Sequence, residues 1–133
     1  MTSQYVSNTD GGYEVGDIVA GCTHWGCTRP SFYKIKERKG RTQFVLEKLK
    51  IAYDSEYLTN SPCYLAVPVG YYMGGGSWYT FEDNRPNETM VARVIKFEMD
   101  YMNEPDYNLK LVGDKYGPLL SKWNGEPICG NCD

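Results

Sequence analysis

Apolar and polar residues alternate with a period of two over most of this chain, the pattern of strands with one buried face. Glu14 to Gly21 reads as a short strand entered through a Gly16-Asp17 turn, with Val15 and Ile18 supplying core. Ser31 to Arg38 sets Tyr33, Ile35 and Glu37 on one parity and Phe32, Lys34 and Lys36 on the other. Lys39-Gly40 is a hairpin turn. The return strand spans Thr42 to Tyr53, with Phe44 and Leu46 on one face; Leu49 and Ile51 fall on the opposite parity, which predicts a bulge. Together these segments form a three-strand meander.

Beyond a polar connection over 54–62, Tyr64 to Tyr71 is a short apolar strand, which Pro68 assigns to an edge or a bulge because proline cannot donate to a ladder. Gly74-Gly75-Gly76 is a loop and Trp78 to Phe81 another short strand. Thr89 to Met99 fits either period, but its Val and Ile content favours a strand. Tyr107 to Val112 alternates cleanly, and Gly117 to Trp123 suits one helical turn. The fold class expected is mostly β, a β-rich α+β domain built as a small antiparallel barrel or sandwich.

With 133 residues the chain is one domain, read as a loose polar tail over 1–12 and a single folded unit over 13–133. No apolar run approaches the ~18 residues of a membrane span, and the N-terminal segment lacks the basic and apolar regions of a signal peptide, so the expected compartment is the cytoplasm. Net charge is -3, unevenly spread: residues 1–50 carry eight Lys/Arg against five Asp/Glu, and residues 51–133 carry six against twelve. That balance argues against a dedicated duplex-DNA binder, which neutralises phosphates with a basic surface.

Cysteine placement adds the main candidate chemistry. Cys22 and Cys27 form one couple, and Cys129-Gly-Asn-Cys132 forms another at the far end of the chain. Four thiolates grouped two and two, with Cys129 to Cys132 as a tight turn, suit a tetrahedral structural zinc ion that would join the N-terminal loop to the C-terminus. His24 is an alternative ligand, and disulfides or free thiols are the competing states. Cys63 lies in an apolar run and reads as a small buried hydrophobe. Catalytic zinc is disfavoured because the chain has one histidine and no H-x-E. A redox CxxC would open a helix after a strand, whereas this one ends the chain. No orienting partner for a His24–cysteine nucleophile is visible, and Gly74 to Gly76 lacks the Lys-Ser/Thr of a phosphate loop. The expectation is a protein that binds and does not catalyse.

Val15-Gly-Asp-Ile-Val, Trp25-Gly26, Phe32-Tyr33-Lys-Ile, Phe44-Val-Leu and Trp123-Asn-Gly-Glu-Pro occur in that order. In this the chain resembles small proteins encoded by bacteriophages and mobile elements, over roughly the first third and last tenth of its length. The resemblance implies residence in the cytoplasm of a bacterial host. By analogy of class it implies action against host defences, as a zinc-containing anti-CRISPR protein acts. The cysteines are additions to that pattern, and Asn124 stands where aspartate is usual.

Two charged surfaces are candidate contacts. Glu98, Asp100, Tyr101, Glu104, Asp106 and Tyr107 mix carboxylates with tyrosines, suitable for meeting a basic host protein such as a CRISPR effector nuclease or another defence protein. Lys34, Lys36, Arg38, Lys39 and Arg41, with Tyr33 and Phe44 nearby, are the alternative: a hairpin that neutralises and stacks single-stranded nucleic acid. Each is also readable as an ordinary solvated turn or strand face.

Overall fold

A computed structural model describes residues 11–23, 27–54, 63–71, 78–80, 85–98, 100–101, 103 and 105–132, with the side chains of all of these but Cys27, Cys63 and Cys132. Among the described residues the secondary structure is entirely β. In chain order the strands are β1 (Ile18–Thr23), β2 (Cys27–Arg38), β3 (Gln43–Lys48), β4 (Ile51–Asp54), β5 (Cys63–Pro68), β6 (Trp78–Thr80), β7 (Thr89–Phe97), β8 (Asp106–Leu111), β9 (Leu119–Lys122) and β10 (Ile128–Cys132).

Six of them close an antiparallel barrel in the order β1-β2-β3-β7-β8-β9, with β9 returning to β1. Barrel neighbours follow one another along the chain once β4 to β6 are set aside, so this is an up-and-down meander with an insertion between β3 and β7. The inserted strands and β10 form a second set, β10-β5-β4-β6, attached to the start of β2. Closure removes the barrel's edges. It relies on Gly21: a Cβ there would collide with the Leu119 carbonyl of β9, so a side chain at 21 would hold the two closing strands apart.

The alternation seen in the sequence sorts residues between two cores. Val19, Tyr33, Ile35, Phe44, Leu46, Ala92, Val94, Leu109, Leu111 and Leu120 fill the barrel interior, joined by Tyr13 from the segment before β1. The opposite parity of β1 and β2 places Ala20 and Phe32 outside, where they pack with Ala66 and with Ile51, Tyr53, Tyr64, Trp123 and Ile128 of the second layer. Phe32 and Trp123 meet edge to face at 5.5 Å.

Two of the quoted sequence segments form structural turns. In Val15-Gly-Asp-Ile, Gly16 takes φ 98°, and the Asp17 carboxylate accepts from the Glu14 amide at 2.9 Å. Ile35 amide donates to the Asp17 carbonyl at 2.9 Å, which docks this turn on β2. In Trp123-Asn-Gly-Glu, the Glu126 amide donates to the Asn124 side-chain oxygen at 2.9 Å, and Trp123 Nε1 donates to the Glu126 carbonyl at 2.6 Å. Asn124 is therefore a turn acceptor, a task aspartate performs equally well.

Several expectations are corrected. The α+β and sandwich alternatives give way to an all-β barrel, and Gly117 to Trp123 contains strand β9, not a helical turn, because Leu120 must fill the barrel between Leu109 and Val19. Val15 is 58% exposed in the turn, and Val19 takes the core position assigned to it. The bulge lies in β2 between Ile35 and Glu37. The parity change at Leu49 marks instead the chain leaving β3 of the barrel for β4 of the second sheet. β5 is interior, between β10 and β4; Pro68 is tolerated as its last residue because the next ladder bond comes from Val69, whose amide donates to the Lys50 carbonyl at 2.9 Å.

Tyr13 fastens the entry segment: its hydroxyl donates to the Tyr107 carbonyl at 2.7 Å and its ring meets Phe44 edge to face. Burial, and then the charges of Asp106 and Asp17, push its phenol up to about 12. The neutral phenol thus favours folding fully below pH 10, and that contribution is lost as pH rises to about 12. It amounts to roughly 3 kcal/mol at ~1.4 kcal/mol per pH unit. Denaturant melts should show stability falling over this window; in Tyr13→Phe the fall should flatten, at a constant cost of about 1 kcal/mol for the lost hydrogen bond.

Candidate metal centre and charged surfaces

The cysteines converge because β1, β2 and β10 meet at one corner. Antiparallel register sets Cys22 beside Pro30, and Cys132 directly opposite Cys27. Burial, and then the charge of nearby Cys129, push the Cys22 thiol above its usual range. Residues from the two ends of the chain thus meet directly at Cys27 and Cys132, while Cys22 and Cys129 lie on the strands that flank β2. His24 falls outside the described residues.

Local geometry at the C-terminus differs from the tight turn expected. Cys129 to Cys132 belongs to β10, an extended strand in which positions 129 and 132 are of opposite pleat parity and lie about 10 Å apart at ~3.3 Å per residue. Cys129, Asn131, Thr28, Pro30 and Cys22 share one parity through the ladders, whereas positions 27 and 132 share the other. Gly130 serves packing, since a Cβ there would enter the ring of Tyr64 on β5. Cys27 with Cys132 is therefore the one cross-strand couple among these four positions, and Cys22 and Cys129 share the other parity.

Does a metal suit this corner? Cysteine sulfurs are soft donors of the kind zinc takes. Asn131 also carries a buried side-chain oxygen with no hydrogen-bond partner, on the parity of Cys129 and Cys22. An orphaned buried acceptor costs about 1–3 kcal/mol, and such groups mark positions where a further polar species belongs. Among the described side chains no group of three metal-ligating residues is assembled; the side chains of Cys27 and Cys132 fall outside that set.

The acidic surface forms the tip between β7 and β8. Tyr101 is 81% exposed and Phe97 41%, and Glu98, Asp100 and Asp106 are exposed around them. Tyr107 does not belong to this tip, because it packs against the barrel core and offers its carbonyl to Tyr13. Asp106 is partly engaged, accepting from the Tyr107 amide at 3.0 Å. Glu104 lies outside the described residues.

The basic hairpin between β2 and β3 is more committed to the fold. Arg38 lies 4.8 Å from the centre of the Phe44 ring and donates to the carbonyls of Arg41 and Tyr13. Lys36 pairs with Glu47 at 3.4 Å, and the Asn87 amide followed by Lys36 holds the Glu47 carboxyl below its ordinary range. Lys34 is half-buried, whereas Lys39 and Arg41 are exposed at the turn.

Missed in the sequence was a cleft of about 450 Å³ between the barrel and the second sheet, lined from both by Arg29, Ser31, Tyr33, Lys48, Tyr53, Tyr64 and Asp114 among others. Its residues are scattered from Thr23 to Pro118, and only the odd-numbered run Arg29, Ser31, Tyr33 carried a trace of it. Set against family models, curated proteins and solved structures, the chain matches none.

Zinc at the cysteine corner is checked by elemental analysis with a chelation melt. The expected outcome is one zinc per chain and a loss of stability of several kcal/mol on its removal. Metal-free protein with an unchanged melting temperature, or Cys27 and Cys132 joined in a disulfide, would replace the ion.

Proposed function

We propose that this protein is a phage- or mobile-element-encoded inhibitor of a host defence nuclease, acting as anti-CRISPR proteins do, by binding and without catalysis. In this reading the barrel is a rigid carrier, zinc fastens the second sheet to it, and the β7–β8 tip makes the contact. The observation that carries it is the composition and exposure of that tip: Tyr101 and Phe97 project among Glu98, Asp100 and Asp106. Aromatic area costs little conformational entropy to bury, and carboxylates around it steer towards a basic surface such as a nuclease presents to nucleic acid. The alternative, a single-stranded nucleic-acid binder using Lys34 to Arg41, has less in its favour because Lys36 and Arg38 are held by Glu47, Phe44 and the Tyr13 carbonyl.

The test is the plating of a defence-sensitive phage on a bacterial host with an active defence nuclease. Expression of the protein should raise plating at least tenfold. The double variant Asp100→Lys with Tyr101→Ala should lose that effect while keeping its melting temperature, because both side chains are exposed. Equal plating with and without the protein across hosts carrying different defence nucleases would remove the proposal.

A further inference from the structure

A cleft between the barrel and the second sheet draws side chains from both layers. One wall is the β2 run Arg29, Ser31 and Tyr33, with Tyr33 seated in the barrel core. The facing wall is the edge-to-face pair Tyr53 and Tyr64, 5.3 Å between ring centres, fixed by their ladder positions on β4 and β5. Lys48 stands at the end of β3, its amide bonded to the Glu88 carbonyl at 2.8 Å. Asp114 comes from the β8–β9 turn, which is closed by backbone bonds from Asp114 to Leu111 and from Gly117 to Asp114.

Volume and chemistry together restrict what fits. About 450 Å³ lies within the range of small-molecule clefts and holds one planar base with its sugar and phosphate. Two cations, Arg29 and Lys48, supply recognition of a phosphate, and guanidinium matches phosphate in a bidentate manner. Tyrosine faces stack on a heteroaromatic ring. A lone carboxylate only accepts hydrogen bonds, so Asp114 favours a ring edge with two adjacent donors; guanine has N1–H and N2–H₂, where adenine offers a single amino group.

We propose that this cleft binds a purine nucleoside monophosphate, with guanosine monophosphate preferred, its ring against Tyr53 and Tyr64, its phosphate at Arg29 and Lys48, and its base edge at Asp114. The site is independent of the β7–β8 tip, so it stands whether or not the protein inhibits a nuclease.

Calorimetric titration of the full-length protein tests it, with guanosine monophosphate, adenosine monophosphate, guanosine and inorganic phosphate as separate probes. The nucleotide should bind at least tenfold more tightly than guanosine or phosphate alone. Arg29→Ala, at an exposed position, should weaken it about tenfold, and Asp114→Asn should abolish the preference for guanine over adenine. Lys122→Ala, outside the cleft, should change nothing. Absence of nucleotide binding at millimolar concentration would overturn the proposal, as would equal affinity for phosphate and the nucleotide, or binding indifferent to Arg29→Ala.

Discussion

Strand β2 is hydrogen-bonded along both edges, and on one of them it changes partner partway along. Its first residues pair with β10 and its last with β3, while β1 covers the other edge from Arg29 to Lys34. Because successive side chains alternate, the same twelve-residue strand sends Tyr33 and Ile35 into the barrel and Phe32 into the layer outside it. A one-residue slip would exchange these sets and expose both cores, so the register of β2 decides the fold. The bulge between Ile35 and Glu37 falls within its pairing to β3, where added twist helps a strand bend round a barrel.

The cysteine corner and the cleft both lie where β2 hands over between layers. The cysteine corner sits at its start, with β1 and β10 on either side, and the cleft opens along its next odd-numbered residues. Only part of β10 touches the barrel: two of its residues pair with β2, and four pair with β5. A short ladder of this kind is a weak join, and a metal or covalent link there would stabilise the junction far more than another hydrogen bond. Backbone positions of Cys27 and Cys132 fall on that two-residue ladder.

The positions of the strands up to β8, the β1-β2-β3 meander and the solvent-facing β7–β8 tip were legible because each depends on local alternation and turn residues such as Lys39-Gly40, whereas β9 and β10 read as turns. Barrel closure was not, since it rests on Gly21 admitting the Leu119 carbonyl from a strand nearly a hundred residues away. Leu49 and Ile51 showed correctly that the pattern breaks, but a parity change looks the same whether a strand bulges or departs to another sheet. Spacing grouped Cys22, Cys27, Cys129 and Cys132 as one ligand set, whereas only register tells that Cys132 lies opposite Cys27 and that Cys22 and Cys129 belong to the strands on either side of β2. Arg38 looked like a solvent cation because sequence shows its charge and not the Phe44 ring beneath it. The cleft had no local signature, since its walls come from β2, β4, β5 and the β8–β9 turn.

The central claim is that the barrel is self-standing and that the cysteine corner fastens the second sheet to it. Amide hydrogen exchange on the purified protein, before and after strong chelation, tests this most directly. The account predicts that amides of Cys129 to Cys132 and of β5 lose protection on chelation, while those of Ile35, Phe44, Leu46 and Val94 in the barrel keep theirs. Unchanged protection along β10, or equal loss throughout the barrel, would contradict it.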